Sequence, residues 1–339
     1  MAYTDIDKPS DYFETVTYAG GTTDISSLDF QPDWVWGKKR DGAENHALFD
    51  SVRGATKTIN SNTTALESTR SGSLTSFDSD GFTLGGSDGI ISNSGSTYVA
   101  WSWKAGTAFS NSAGANGADI ASSGSVNTTA GFSIVKWVGN ATDDQQILHG
   151  LSSTVKMIIC KRYIGGSADS WIVYHVGLPV TQYLILNSTS AGLSDNEVIW
   201  SDEHPTSSVF TVGNHGTTND DGSTMIGYCF ADVKSYSKFS SYIGNGNADG
   251  TFVYTGFKPA FIMIKRTDSA ADWEMYDNKR LGFNDDNPPL YANLNNAEGS
   301  NDRIDILSNG FKIRASSGNL GADGGTYIYM AFAENPFVT

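Results

Sequence analysis

The sequence predicts an all-β chain of three tandem, diverged modules of antiparallel strands. Three observations carry this. Runs of four to eight residues rich in Val, Ile, Tyr, Trp, Phe and Thr alternate with clusters of Gly, Asn, Asp and Ser. Those clusters supply tight turns, because their small or locally hydrogen-bonding side chains tolerate turn geometry. No helical period extends over ten residues. Third, one set of motifs recurs in the same order along the chain.

The repeat has four elements. Val16-Thr17-Tyr18-Ala19-Gly20-Gly21 answers to Val135-Lys136-Trp137-Val138-Gly139-Asn140 and to Ser241-Tyr242-Ile243-Gly244-Asn245. Phe30-Gln31-Pro32-Asp33-Trp34-Val35-Trp36-Gly37-Lys38 matches Phe257-Lys258-Pro259-Ala260-Phe261-Ile262-Met263-Ile264-Lys265, with Val155 to Arg162 between them. Gly81-Phe82-Thr83-Leu84 matches Gly310-Phe311-Lys312-Ile313 and, more loosely, Val209-Phe210-Thr211-Val212. The last element is Gly95 to Trp103, Gly222 to Phe230 and Gly325 to Phe332. Between first and third copies the offsets are 224 at Tyr18, 227 at Lys38, 229 at Phe82 and 229 at Thr97. Chance rarely holds four elements in one order at nearly one spacing. The modules are assigned to residues 1–106, 131–237 and 238–339, and the Gly/Ser/Ala-rich stretch 107–130 to a linker or elaborated loop.

Alternate residues of a strand share a face. In the last strand of each copy one parity holds Val99/Ile226/Ile328, Trp101/Tyr228/Met330 and Trp103/Phe230/Phe332. All are large, which marks a core face. The other parity holds Tyr98/Met225/Tyr327, Ala100/Gly227/Tyr329 and Ser102/Cys229/Ala331. It is smaller and mixed, so Tyr98, Tyr327 and Tyr329 are the candidate residues for contact with a glycan or partner. Trp34/Met157/Phe261 and Val35/Ile158/Ile262 are apolar on both faces of one strand, which predicts that it is covered on both sides.

The chain has 339 residues, 37 acidic and 22 basic, for a net charge of −15. Such a chain repels a phosphate backbone and an anionic bilayer, which argues against nucleic acid and membrane insertion as partners. No apolar stretch approaches the roughly 18 residues of a membrane helix. Met1 to Lys8 lacks the basic and apolar runs of a signal peptide, so synthesis in the cytoplasm without a cleaved leader is expected. Two cysteines, Cys160 and Cys229, are too few for a disulfide framework and are expected as buried free thiols.

No motif announces catalysis. The histidines His46, His149, His175, His204 and His215 show no metal-ligand spacing, and the third copy has none. Glu274-Met275-Tyr276-Asp277 and Asp302-Arg303-Ile304-Asp305 have the wrong parity for two carboxylates facing one groove. No G-x-S-x-G elbow sits on a strand–helix turn, and no Gly-rich phosphate loop ends in Gly-Lys-Ser/Thr. Asp78-Ser79-Asp80-Gly81, Asn219-Asp220-Asp221-Gly222 and Asn284-Asp285-Asp286-Asn287 could offer oxygens to calcium, yet each lacks the distal Glu of an EF-hand loop and suits a plain turn. No other cofactor is expected. A carbohydrate-active enzyme is the alternative from another class, and it requires carboxylates clustered in a groove.

Lys8 to Thr15, Phe30 to Trp36, Leu48-Phe49-Asp50-Ser51-Val52-Arg53-Gly54, Ser76 to Leu84 and Tyr98 to Lys104 together resemble a module of virion proteins from marine tailed phages. The resemblance is close over residues 1–106, partial over 239–337 and faint over 131–232. Asp50 to Gly54 becomes Asp277-Asn278-Lys279-Arg280-Leu281-Gly282 in the third copy and is lost in the second. It implies a lectin-like jelly-roll form of the sandwich and a virion component without enzymatic activity. The expected role is tail-associated or fibre-like, contributing to host attachment, with capsid decoration as the alternative. Other virion proteins, further copies of the chain and a host-surface glycan are the partners implied.

Overall fold

The computed structural model describes residues 4–280, 284, 287–316 and 318–336. Leu281 and Gly282 of the third Asp-to-Gly motif, and Asp285 and Asp286 of one calcium candidate, lie outside them. The described fold is all-β, with several antiparallel sheets; its helices are one 3-10 turn and three α-helical turns of four residues.

Three large sheets share one wiring. In sheet I the order is Phe13–Ala19, Thr97–Trp103, Trp34–Lys39, Ala47–Asp50. Sheet II repeats it with Phe132–Val138, Thr224–Ala231, Val155–Ile164 and Ile172–His175. Sheet III repeats it with Ser237–Ile243, Thr326–Pro336, Phe257–Arg266 and Trp273–Asp277. The register agrees as well. Trp34, Met157 and Phe261 pair with Asp50, His175 and Asp277.

A smaller sheet covers one face of each large one. These are Asp24–Ile25 with Gly81–Leu84 and Leu74–Asp78, then Gln145–Leu148 with Val209–Val212, then Phe252–Tyr254 with Gly310–Ile313 and Ile304–Leu307. The repeated Gly-Phe motif has a steric cause here. A Cβ at Gly81 would sit 1.6 Å from the Ile25 carbonyl oxygen, and one at Gly310 would sit 2.0 Å from that of Val253. Only glycine lets the outer strands approach this closely.

The two parities of the repeated strands therefore bury into two different cores. Ala100, Val35 and Phe82 lie between sheet I and its cover; Met225, Ile158 and Phe210 do so in sheet II; Tyr329, Ile262 and Phe311 do so in sheet III. The large-residue parity points the other way, into one cluster common to all three sheets. There Trp34 stacks on Tyr228 with centroids 4.3 Å apart, joining sheets I and II. Phe13 stacks on Phe332 at 5.1 Å, joining I and III, and Phe230 meets Phe332 at 6.0 Å, joining II and III. Burying side chains of this size contributes roughly 1.5–3 kcal/mol each, so none of the three faces is stable exposed.

The stretch 107–130 is not a free linker. Thr107–Asn111 and Ser122–Asn127 pair with each other, and the second pairs with Phe132–Val138, extending sheet II at its edge. Its small residues are what the site needs. A Cβ at Gly124 would lie 1.8 Å from the Ile134 carbonyl oxygen and 3.0 Å from the Phe109 ring, while Val126 and Phe109 close the sheet II core.

Candidate functional site

The tyrosines singled out by parity do not face a ligand. Tyr98 and Tyr327 are 0% exposed and Tyr329 is 3% exposed. The Tyr98 hydroxyl donates to the Gly89 carbonyl and accepts from the Asn93 N–H. Tyr327 does the same with Gly318 and Ala322, and the Tyr329 ring packs edge-on against Phe311. Burial raises the pKa of each hydroxyl. The alternation was read correctly, but the second face is roofed by the outer sheet, so these residues are core.

The chemistry-bearing side chains instead gather where the large sheets meet. The Lys38, Lys161 and Lys265 ammoniums occupy one repeated position and are all buried. Burial lowers each to about 8. Lys161 Nζ reaches the Thr64 carbonyl at 2.8 Å, from sheet II to the sheet I segment; Lys265 Nζ reaches the Thr189 carbonyl at 3.0 Å, from III to II. Lys38 Nζ turns to the neighbouring Lys39 carbonyl, at 2.6 Å.

Opposite these lysines stand His46, Trp171 and Trp273. Trp171 Nε1 donates to the Asn60 carbonyl at 2.9 Å, and Trp273 Nε1 to the Ile185 carbonyl at 3.0 Å. His46 Nε2 contacts the Tyr291 carbonyl at 2.9 Å. Because His46 Nδ1 accepts from Trp36 Nε1 at 2.8 Å, the proton belongs on Nε2, which donates. Backbone N–H groups of Glu44, Asp169 and Ala271 run parallel to these bonds, onto the carbonyls of Asn295, Thr64 and Thr189. Each sheet thus reaches one other, I to III, II to I and III to II, and the ring closes.

A second layer of joints lies deeper. The Asp50 carboxylate accepts from Tyr228 Oη of sheet II at 2.7 Å and pairs with Arg53 at 2.5 Å, with both charged side chains fully buried. The Asp277 carboxylate accepts from Trp101 Nε1 of sheet I at 3.0 Å and pairs with Arg280 at 2.7 Å. At the corresponding place in sheet II, His175 Nε2 contacts the Tyr329 carbonyl of sheet III at 3.1 Å while Nδ1 accepts from the Gly177 N–H. Burial lowers His46 to about 3, and His149 and His175 to about 4, so these rings are neutral at ordinary pH.

Other sequence candidates resolve simply. Cys160 and Cys229 are buried free thiols on neighbouring strands. Glu274 accepts from Arg303, Tyr276 and Asn319, and faces away from Asp277. Asp78 accepts from Thr83 within its own turn, and Asp220 pairs with Arg162. Among the described residues no three or more His, Cys, Asp or Glu side chains cluster as a metal would require.

One outer face stands apart. On the sheet covering sheet III, Val253, Phe311, Ile313, Ile304 and Ile306 point inward and are buried. The opposite parity carries Phe252 and Tyr254, which are 45% and 58% exposed. Beside them Lys312 and Arg314 share Asp249 at 2.5 and 3.1 Å, and Arg314 Nε also binds Asp305 at 2.5 Å. An open cavity of about 440 Å³ lies at the Arg314 end of this sheet, lined by Arg303, Arg314, Ser316 and Asn319 among others, and neither ring lines it. Sequence reading missed this pair because it sought aromatics on the repeated strands. The available signal was Phe252-Val253-Tyr254 itself, an alternation with aromatics on the side opposite a buried valine.

No curated protein matches the chain, and no solved structure does. A family model described as a domain of unknown function, DUF7483, matches residues 8–336. Since that match takes in all three large sheets and the ring of joints between them, the chain belongs to the DUF7483 family.

Proposed function

We propose that the chain is a non-enzymatic structural protein of a phage virion, tail-associated or fibre-like, that contributes to host attachment. In this reading it comprises three tandem, diverged β-sandwich modules of jelly-roll type, closed on one another as a ring. The observation that carries it is how the repeated polar groups are used. Three lysines, two aspartate–arginine pairs and two histidines that could do chemistry all serve as buried joints within or between sheets. The resemblance of residues 1–106 to marine phage virion modules supports the setting, and the acidic surface suits a component that avoids the packaged nucleic acid.

Capsid decoration is the second reading. Three sheets of one wiring, bonded in cyclic order, give the protein an approximate threefold character that suits a threefold position on an icosahedral shell. Cryo-electron microscopy of particles carrying this chain separates the two. Density at the tail supports attachment, density on the shell supports decoration, and absence of the chain from purified particles overturns both.

A further inference from the structure

We infer that the outer face carrying Phe252 and Tyr254 is a binding site for an uncharged saccharide. This deepens the attachment reading above by naming the ligand class and the residues, and it rests on that reading only for its biological purpose.

Three features of the face converge. The first is a pair of aromatic rings left exposed on consecutive outward positions of one strand. Their quadrupoles present electron-rich surfaces, which attract the polarised C–H faces of a pyranose. The second is a set of hydrogen-bonding groups fixed in place beside the rings. Asp249 holds Lys312 and Arg314, Asp305 holds Arg314, and the buried Glu274 holds Arg303 at 2.7 Å. Ion pairing restrains these long side chains, so less conformational freedom is lost when a hydroxyl binds them. The register places them together: Phe252 lies opposite Lys312, Lys312 opposite Asp305, and the Arg314 N–H bonds to the Arg303 carbonyl. The third is an open cavity of about 440 Å³ at the Arg314 end of the same sheet, lined by Arg303, Arg314 and Asn319 and by neither ring, which leaves room for an oligosaccharide that extends past Lys312.

Charge selects the class. The three cations Arg303, Lys312 and Arg314 face four anions, Asp249, Asp302, Asp305 and Glu274. A mixed set of donors and acceptors in which every cation is compensated fits hydroxyl groups, whereas a polyanion needs uncompensated cations. The contrast with the other sheets points the same way. The counterparts of Phe252 across the repeat are Asp24 and Gln146, and those of Lys312 are Thr83 and Thr211. Neither counterpart face combines an aromatic with a fixed cation, so this surface is peculiar to the third sheet and no part of the common packing.

The test uses the full chain on an array of neutral oligosaccharides alongside oligosaccharides bearing uronic or sialic acids, followed by calorimetry with the best neutral binder. The expected result is retention on neutral glycans, with affinity reduced tenfold or more by Phe252→Ala or Tyr254→Ala and by Asp305→Ala. Both aromatics are exposed, and an unchanged melting temperature shows that the variants fold. Retention on acidic glycans alone, no retention at millimolar sugar, or equal binding by wild type and both aromatic variants overturns the inference. So does capture of the chain by a virion protein through this same face. Position on the particle is measured separately, so a failed array leaves the virion reading standing and an absent particle signal leaves the sugar site standing.

Discussion

The first and third sheets meet their neighbours through a charge pair, and the second meets its neighbour through a neutral ring. Asp50–Arg53 and Asp277–Arg280 stand where sheet II has His175. All three groups reach across to the next strand assembly, onto Tyr228, Trp101 and the Tyr329 carbonyl. The position is therefore defined by its place in the ring and not by residue type. What differs is the penalty for disturbing it. Removing a buried carboxylate leaves a buried guanidinium with only a longer pair, to Glu67 or Glu298 at 3.3 Å, whereas removing the imidazole leaves two neutral groups unpaired, the Tyr329 carbonyl and the Gly177 N–H.

This difference can be broken directly. Asp50→Ala or Asp277→Ala is expected to lower unfolding stability by about 3–5 kcal/mol each, since Arg53 and Arg280 lose a buried partner. His175→Ala is expected to lose less, about 1–3 kcal/mol. Urea unfolding midpoints check this, and a His175→Ala loss equal to that of Asp50→Ala would remove the distinction.

Acid sharpens it next. His46 and His175 are held neutral in the fold, at about 3 and about 4, against about 6.5 for a free imidazole. The unfolded chain thus binds more protons below pH 6.5, so stability contributed by neutrality is complete above 6.5 and falls as pH drops toward 4. For His175 alone the fall is about 3 kcal/mol. Thermal melts from pH 7 to 4 should show a steeper decline for the wild type than for His175→Gln. Parallel curves would mean that the imidazole does not titrate on unfolding.

The smallest effect belongs to a single hydroxyl. Tyr228→Phe keeps the ring stacked on Trp34 but withdraws one hydrogen bond from Asp50, for an expected loss of about 1 kcal/mol in unfolding free energy, read by denaturant titration. No measurable loss would show that Arg53 alone satisfies the carboxylate.

Much of this architecture was legible in the residues. The alternation in Thr97–Trp103 and its counterparts separated two faces correctly, and apolar residues on both sides of Trp34–Lys39 announced a doubly covered strand. Where the reading failed, the cause was tertiary. Nothing in the spacing of Tyr98, Tyr327 and Tyr329 tells a covered face from an open one, because Ala100 and Gly227 leave room for a roof that lies distant in sequence. Thr107–Asn111 and Ser122–Asn127 carry linker-like residues, and their strand character comes from docking onto Phe132–Val138. His175 could not be matched to Asp50 by type, and only the register pairs them. Phe252 and Tyr254 escaped notice because their strand recurs in place, beside Gly310–Ile313 and its counterparts, but not in sequence.

The closed order of the joints bears on ancestry and on surface design. A single unit with such an aromatic face and such outward-reaching donors would have to find two more copies of itself to fold, and its survival would depend on concentration. In the proposed three-module reading, tethering the units in one chain makes that encounter intramolecular and fixes the stoichiometry. It also ends the tyranny of symmetry. A homotrimer must repeat every surface feature three times, whereas a tethered trio can keep identical joints inside and grow a different outer face on each member. The pair of exposed rings on the sheet covering sheet III is a specialisation open to such a trio and closed to a symmetric trimer.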